Sequence, residues 1–377
     1  QTPCCWDRVG ESVLRRPDAG ARLIVGCLLL SAACDSSESI VPVATVTDSA
    51  GVRMVRHDLT EVEVPSWRAL SEHDLEIGVV DGQPEYTLSG VTDLAVAPDG
   101  RILVSDRVSQ EVRVYDVDGT WLRTLGGQGE GPGEFSSAPR FAGVSRDTVF
   151  AFAARARRIT PYHLDGGFGA TVSMVTDEVE RPLVVLRRSD GSYLVQSFWI
   201  AAELGAEGMR LDQDSVAITV AAPDGSWVDS LTVLADFSRA RMVSPQPDGR
   251  VSVMQANTPY SARAFLLVDG VVVTLAHSSV FDFTTYDSQG RAVSRLQAAG
   301  LQHPATQDDI RSRQEERLRE DLGDDVPQSA RMLNVEFAPE KLQAFVAALY
   351  SESGDLWVAL QDFEEVDGTD WLVFASD

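Results

Sequence analysis

The chain has 377 residues, with 32 Lys+Arg against 57 Asp+Glu and a formal charge of −25. A surface this acidic is repelled by phosphate backbones, so nucleic-acid binding is excluded as a reading. Hydrophobic residues make up 44% and charged residues 24%, a globular balance that excludes wholesale disorder.

In chain order, the first informative segment is a basic one. Arg15, Arg16 and Arg22 precede the apolar run Leu23-Ile-Val-Gly-Cys-Leu-Leu-Leu-Ser-Ala-Ala33. The run is too short to span a bilayer, which takes about 20 residues as a helix, and suits the apolar region of an export signal. Leu30-Ser-Ala-Ala-Cys34 resembles a bacterial lipobox, with Ser31 where that motif usually has Leu. The resemblance implies cleavage before Cys34 and lipidation of its thiol. All four cysteines (Cys4, Cys5, Cys27 and Cys34) lie in these first 34 residues. The body therefore has no disulfide, thiolate metal site or cysteine nucleophile. The expected organisation is an export segment over 1–34, a polar tether over 35–48 and a folded domain over 49–377.

Beyond residue 80 the recurring signal is Asp-Gly, at Asp99-Gly100, Asp118-Gly119, Asp165-Gly166, Asp190-Gly191, Asp224-Gly225, Asp248-Gly249, Asp269-Gly270 and Asp367-Gly368. Between short apolar runs it predicts hairpins with type I′ turns. The flanks alternate apolar and polar residues, as in Arg101-Ile-Leu-Val-Ser105 and Glu111-Val-Arg-Val-Tyr115, the period of a half-buried strand. Asp118-Gly119 and Asp165-Gly166 stand 47 residues apart. A period of about 40–50 residues with four strands per unit predicts a β-propeller.

Five units are expected: Asp93–Gly126, Phe141–Asp177, Pro182–Leu234, Arg263–Leu296 and Leu342 to the C-terminus. The third carries a polar insertion near Ala201–Asp214, and Ala235–Ala262 reads as a connecting hairpin. The segment Asp74-Leu-Glu-Ile-Gly78 is expected to be the outer strand of a closing blade. Five units plus that strand read as a six-bladed ring truncated at the C-terminus, with an open seam and exposed strand edges. One segment is helical: Thr306–Leu322 has strong helix formers, Thr306 and Asp309 as a capping box and Gly323 as a stop. Its stripe of Ile310, Leu318 and Leu322 suits a solvated helix lying on the ring, with Glu315–Arg319 and Asp309–Arg313 pairs along it.

Val91-Thr-Asp-Leu-Ala-Val-Ala-Pro-Asp-Gly-Arg-Ile-Leu-Val-Ser-Asp106 resembles the first half of an NHL repeat. Glu111 to Gly126 resembles its second half. Gly127-Gln-Gly-Glu-Gly-Pro-Gly-Glu-Phe135 is similar to the inter-blade loop of the bacterial six-bladed propeller lipoproteins, and Ser49–Val55 to their N-terminal lead-in. The resemblance covers about Asp48–Gly169 and implies an all-β, NHL-like six-bladed propeller in the cell envelope. It also implies that Asp106 and Arg113 belong to a blade's polar network.

Gly126, Gly127, Gly129, Gly131, Pro132 and Gly133 read as a structural inter-blade loop. A phosphate cradle needs a helix to follow, and a strand follows here. Asp116-Val-Asp-Gly119 lacks the remaining ligands of a calcium loop. The histidines (His57, His73, His163, His277 and His303) are too scattered for a local metal motif. The pairs Asp308-Asp309, Glu315-Glu316 and Asp324-Asp325 read as a solvated face. Trp121, Trp199 and Tyr260 are candidate surface aromatics. No catalytic residue, metal or cofactor is predicted. The expected role is a binding or scaffold module for a protein or small ligand, monomeric when full length and attached to the membrane by its lipid. The alternative is a metal-dependent hydrolase, lactonase or lyase. Converging Asp, Glu, Asn or His side chains at the channel mouth would favour the enzyme, and a small apolar lining would favour binding.

Overall fold

The computed structural model describes residues 14–15, 44–60, 66–69, 73–176, 181–199, 208–248, 250–301, 304–351, 353–361 and 370–375. Four strands precede the first repeat: β1 (Leu14–Arg15), β2 (Thr45–Ser49), β3 (Val52–Asp58) and β4 (Trp67–Ala69). Sheet 1 is β5 (Val91–Val96), β6 (Ile102–Asp106), β7 (Glu111–Tyr115) and β8 (Trp121–Gly126). Sheet 2 is β9 (Pro139–Ser145), β10 (Thr148–Ala153), β11 (Arg158–His163) and β12 (Val172–Ser173). Sheet 3 is β13 (Pro182–Arg187), β14 (Tyr193–Trp199), β15 (Gly208–Ala221), β16 (Trp227–Pro245) and β17 (Val251–Asn257). Sheet 4 is β18 (Ala264–Asp269), β19 (Val272–His277), β20 (Asp282–Tyr286) and β21 (Ala292–Ala299), extended by β3 and β2. Sheet 5 is β22 (Phe345–Tyr350), β23 (Leu356–Leu360) and β24 (Asp370–Phe374), extended by β4 and β1.

Consecutive strands pair antiparallel within every sheet, and the first strand of each lies innermost. β5 packs on β9, β9 on β13, and β18 on β22. This radial stacking of meandering sheets is a β-propeller. Apolar side chains fill the wedges between sheets, because each sheet's two faces must both be covered. Leu103, Val112, Val114, Phe135, Val149 and Tyr162 make one such wedge between sheets 1 and 2. On the inner strands, Val91 and Leu94 of β5 are exposed, as is Leu349 of β22.

The N-terminal strands work as clasps. The fourth strand of sheet 5, counted from the inside, is Trp67–Ala69, which pairs antiparallel with β24 at Trp371↔Trp67. That corrects the expectation for Asp74–Gly78, which is not a strand. Leu75 and Ile77 instead sit beside Gly119 on sheet 1. β3 joins sheet 4 parallel to β21, from Ser294↔Arg53 to Ala299↔Asp58.

Three further expectations change. The Asp-Gly turns at 100, 119, 166, 191 and 225 have positive φ at glycine alone, so they are type I turns followed by a left-handed glycine rather than type I′. The aspartate accepts a backbone N–H two residues on, as from Arg101, Ser192 and Ser226, which favours that geometry. The expected insertion and connecting hairpin around 208–214 and 235–257 are continuous outer strands of sheet 3. Arg210, Asp212 and Asp214 alternate along β15; Arg210 pairs with Asp212, and the two aspartates pair with Arg239 and Arg241 across the ladder, so a polar stretch stays in the sheet. Residues 201–207 lie outside the described residues. On helix α1 (Gln307–Leu322) the capping box of Thr306 and Asp309 is present, and Glu315 pairs with Arg319 at 3.0 Å. Arg313 reaches Glu316 instead of Asp309. Ile310 anchors the helix on Ala338 and Leu342, while Leu322 is exposed.

Candidate functional site

The inner strands of sheets 2 to 5 enclose a channel of about 560 Å³, within the size range of small-molecule sites. Its wall is mostly small and apolar: Ala142, Gly143 and Val144 from β9, Leu186 from β13, Leu266 and Val268 from β18, and Leu349 from β22. These positions follow from the inner-strand pattern, where facing strands leave room only for modest side chains. Two cations interrupt it. Arg187, the last residue of β13, and Arg188, the next, both line the channel.

The two arginines are held differently. Arg188 is buried, and its Nε donates to Ser192 Oγ at 2.7 Å. Its Nη2 lies 3.6 Å from Asp190, and its Nη1 donates to the Val271 carbonyl at 3.4 Å. It is a structural cation joining sheets 3 and 4. Arg187 stacks on the Phe150 ring, with 4.1 Å from Cζ to the centroid, and its Nε is buried with no hydrogen-bond acceptor. Arg187 also lowers the pKa of Tyr193, against a larger upward push from burial. Ser145, Ser189 and Tyr350 complete the polar part of the lining. A guanidinium stacked on an aromatic ring beside a channel is suited to a carboxylate or phosphate.

A second cavity, of about 690 Å³, lies between sheets 4 and 5. Tyr350 borders both spaces. Its hydroxyl is 2.7 Å from Thr274 Oγ1, which is in turn 2.7 Å from Thr285 Oγ1.

The residues singled out in the sequence fall as follows. Asp106 is buried and accepts N–H groups from Ser89, Gly90, Val108 and Ser109 at 2.7–3.1 Å. Burial by itself would raise its pKa, but these four bonds outweigh it and hold the carboxyl below its usual range. Arg113 bonds Glu111 and the Thr87 carbonyl, both at 2.8 Å, clamping the lead-in chain onto sheet 1. In the glycine loop, Glu134 accepts the Gly131 N–H at 2.8 Å, and Phe135 N–H donates to the Gly127 carbonyl at 2.7 Å. Gly126, at φ 72°, needs its missing Cβ: that atom would lie 2.3 Å from the Phe135 ring. Asp116 accepts the N–H groups of Asp118 and Thr120.

Neither the histidines nor the acidic pairs are brought together. His57 lines the cavity between sheets 4 and 5, edge-on to Phe374. His73 meets Glu76, His163 meets Thr148 and His277 meets Ser279. His303 lies outside the described residues. Among the described residues no three of His, Cys, Asp and Glu converge in a metal-ligand arrangement. Trp121 is partly exposed on β8, Tyr260 packs at the base of α1, and the Trp199 side chain and Cys34 are outside the described residues. Sequence reasoning passed over Arg187 and Arg188. The available signal was an Arg-Arg pair at the end of an inner strand, just before a turn.

Residues 84–177 match the model of a family described as a 6-bladed beta-propeller. No curated protein matches the chain. Among solved structures, a putative exported protein from Bacteroides fragilis is similar at 13% identity and TM-score 0.43, covering 80% of this chain and 73% of that one. A Bacteroides caccae protein of unknown function is similar at 13% identity and TM-score 0.34, with 71% and 69% covered. A glutaminyl cyclase from Myxococcus xanthus is similar at 10% identity and TM-score 0.32, with 76% and 91% covered. Among the described residues no helix is long and apolar enough to cross a membrane.

Proposed function

We propose that the protein is a binding module of the bacterial cell envelope, lipidated at Cys34, whose central channel seats a small anion. The observation that carries the reading is Arg187. It lines the channel, and its guanidinium lies on Phe150 with Nε buried and without an acceptor. A buried donor left unpaired costs free energy, and a bound carboxylate or phosphate recovers it through charge-assisted, forked hydrogen bonds. In a chain of net charge −25, a channel lined by two arginines is a local inversion of sign that concentrates anions.

Calorimetric titration of the purified chain with succinate and, separately, inorganic phosphate tests the reading. Binding of one of them should weaken at least about tenfold, roughly 1.4 kcal/mol, in Arg187→Gln. Absence of heat with both anions, or equal affinity in the variant, contradicts it. Labelled palmitate should enter the full-length protein in cells and fail to enter Cys34→Ala. Incorporation into that variant would remove the anchor.

A further inference from the structure

The cavity between sheets 4 and 5 is separate from the anion seat and has a different chemistry. One wall is the inner face of sheet 4, and the other is the face of sheet 5 made by β22, β23, β24 and β4. The body of the cavity is apolar, with Phe283 and Leu296 on one side and Leu356, Leu372 and Phe374 on the other. At the inner end Thr274 hydrogen-bonds both Tyr350 and Thr285, and Asp269 at the end of β18 adds a carboxylate to the lining. At the outer end, β3 presents Arg53, Val55 and His57 on one face by the period of two. Burial lowers the pKa of His57, which leaves Arg53 as the permanent positive charge at the mouth. Apolar walls with an acidic inner end and a basic outer end, in a volume of about 690 Å³, suit an amphipathic occupant.

We propose that the cavity between sheets 4 and 5 is a binding site for an alkyl carboxylate, with its chain among Phe283, Leu296, Leu356, Leu372 and Phe374 and its head at Arg53. Charge sets the orientation: Asp269 at the inner end repels a carboxylate, so the head lies outward at Arg53 of β3. The clasp strand β3, held parallel to β21, thereby has a second role as the cationic lip of the site.

Titration of the purified chain with octanoate, decanoate and dodecanoate provides the test. Affinity should rise about fourfold per added methylene, the factor expected for burying alkyl surface. Ser294→Phe, which projects a ring into the cavity from β21, should weaken dodecanoate at least about tenfold, while Arg53→Gln should weaken dodecanoate and spare 1-dodecanol. Saturating succinate, the channel's own probe, should leave the affinity for all three carboxylates unchanged, which separates this site from the channel. Thermal melting of each variant checks folding, and Leu372→Trp is a second cavity-filling substitution should Ser294→Phe not fold. No binding, affinity independent of chain length, or affinity unaffected by both cavity-filling substitutions overturns the proposal. Competition between succinate and dodecanoate moves the ligand to the channel and overturns it as well.

Discussion

The wedge between sheets 1 and 2 is filled, and the wedge between sheets 4 and 5 is hollow. In the first, Leu103, Val112, Val114, Val149 and Leu164 are inaccessible to solvent and Phe135 and Tyr162 nearly so. Burial pushes the Tyr162 hydroxyl up to about 12. Polar pins cross the same wedge: Asp93 accepts the Phe141 N–H at 2.7 Å, and Ser105 Oγ donates to the Pro139 carbonyl. In the second wedge, a compact cluster of Phe281, Phe283, Phe345 and Val358 gives way outward to the 690 Å³ cavity. The same repeated sheet thus makes a rigid joint on one side of the ring and a receptive one on the other. The difference lies in what fills the outer half of the wedge. The glycine loop drives Phe135 into the first, whereas strands borrowed from the N-terminus cover the second without filling it.

The largest expected effect comes from breaking the rigid side. Asp106→Ala leaves four N–H groups without the buried carboxylate that accepts them and should cost about 4 kcal/mol in urea unfolding. A loss below about 1 kcal/mol would mean that this network does not hold sheet 1. Next is the paired comparison of core truncations. Leu103→Ala should cost about 3 kcal/mol, and Leu372→Ala, on the wall of the cavity, about 2 kcal/mol. Equal costs would show that the hollow wedge closes in solution. Gly126→Ala should cost about 2 kcal/mol, because it sets a left-handed φ on a side-chain-bearing residue and drives a methyl into Phe135. The smallest effect is on pH dependence. Asp106 is held below its ordinary pKa in the fold, so the stability it contributes is complete above about pH 4 and lost as pH falls further. Asp106→Asn should flatten that acid limb of the melting curve, and an unchanged limb would assign it to other carboxylates.

The rigid side was the more legible of the two in the sequence. The apolar run Ile102–Val104 and the alternation in Val112–Tyr115 marked the strands, the 47-residue spacing marked the repeat, and the glycine run marked the loop. Sheet 3 was harder to read. Arg210, Asp212 and Asp214 look like a surface insertion until Arg239 and Arg241 are placed opposite them, and cross-strand neutralisation is a property of pairing rather than of either segment. The clasp was harder still. Trp67–Ala69 is a strand because β24 offers it an edge, and that edge comes from the far end of the chain. The channel arginines carry no motif. Their significance depends on Phe150, which lies on the neighbouring sheet 37 residues earlier in the chain. Local periodicity therefore reports strands well, and it is silent about which strands meet.

The most direct measurement of the central claim is anomalous diffraction from crystals soaked in selenate, a heavy analogue of an oxyanion. A selenium peak in the channel within hydrogen-bonding distance of the Arg187 guanidinium, absent from crystals of Arg187→Gln, is the expected result. A channel without anomalous density, or one whose density persists in the variant, would contradict it.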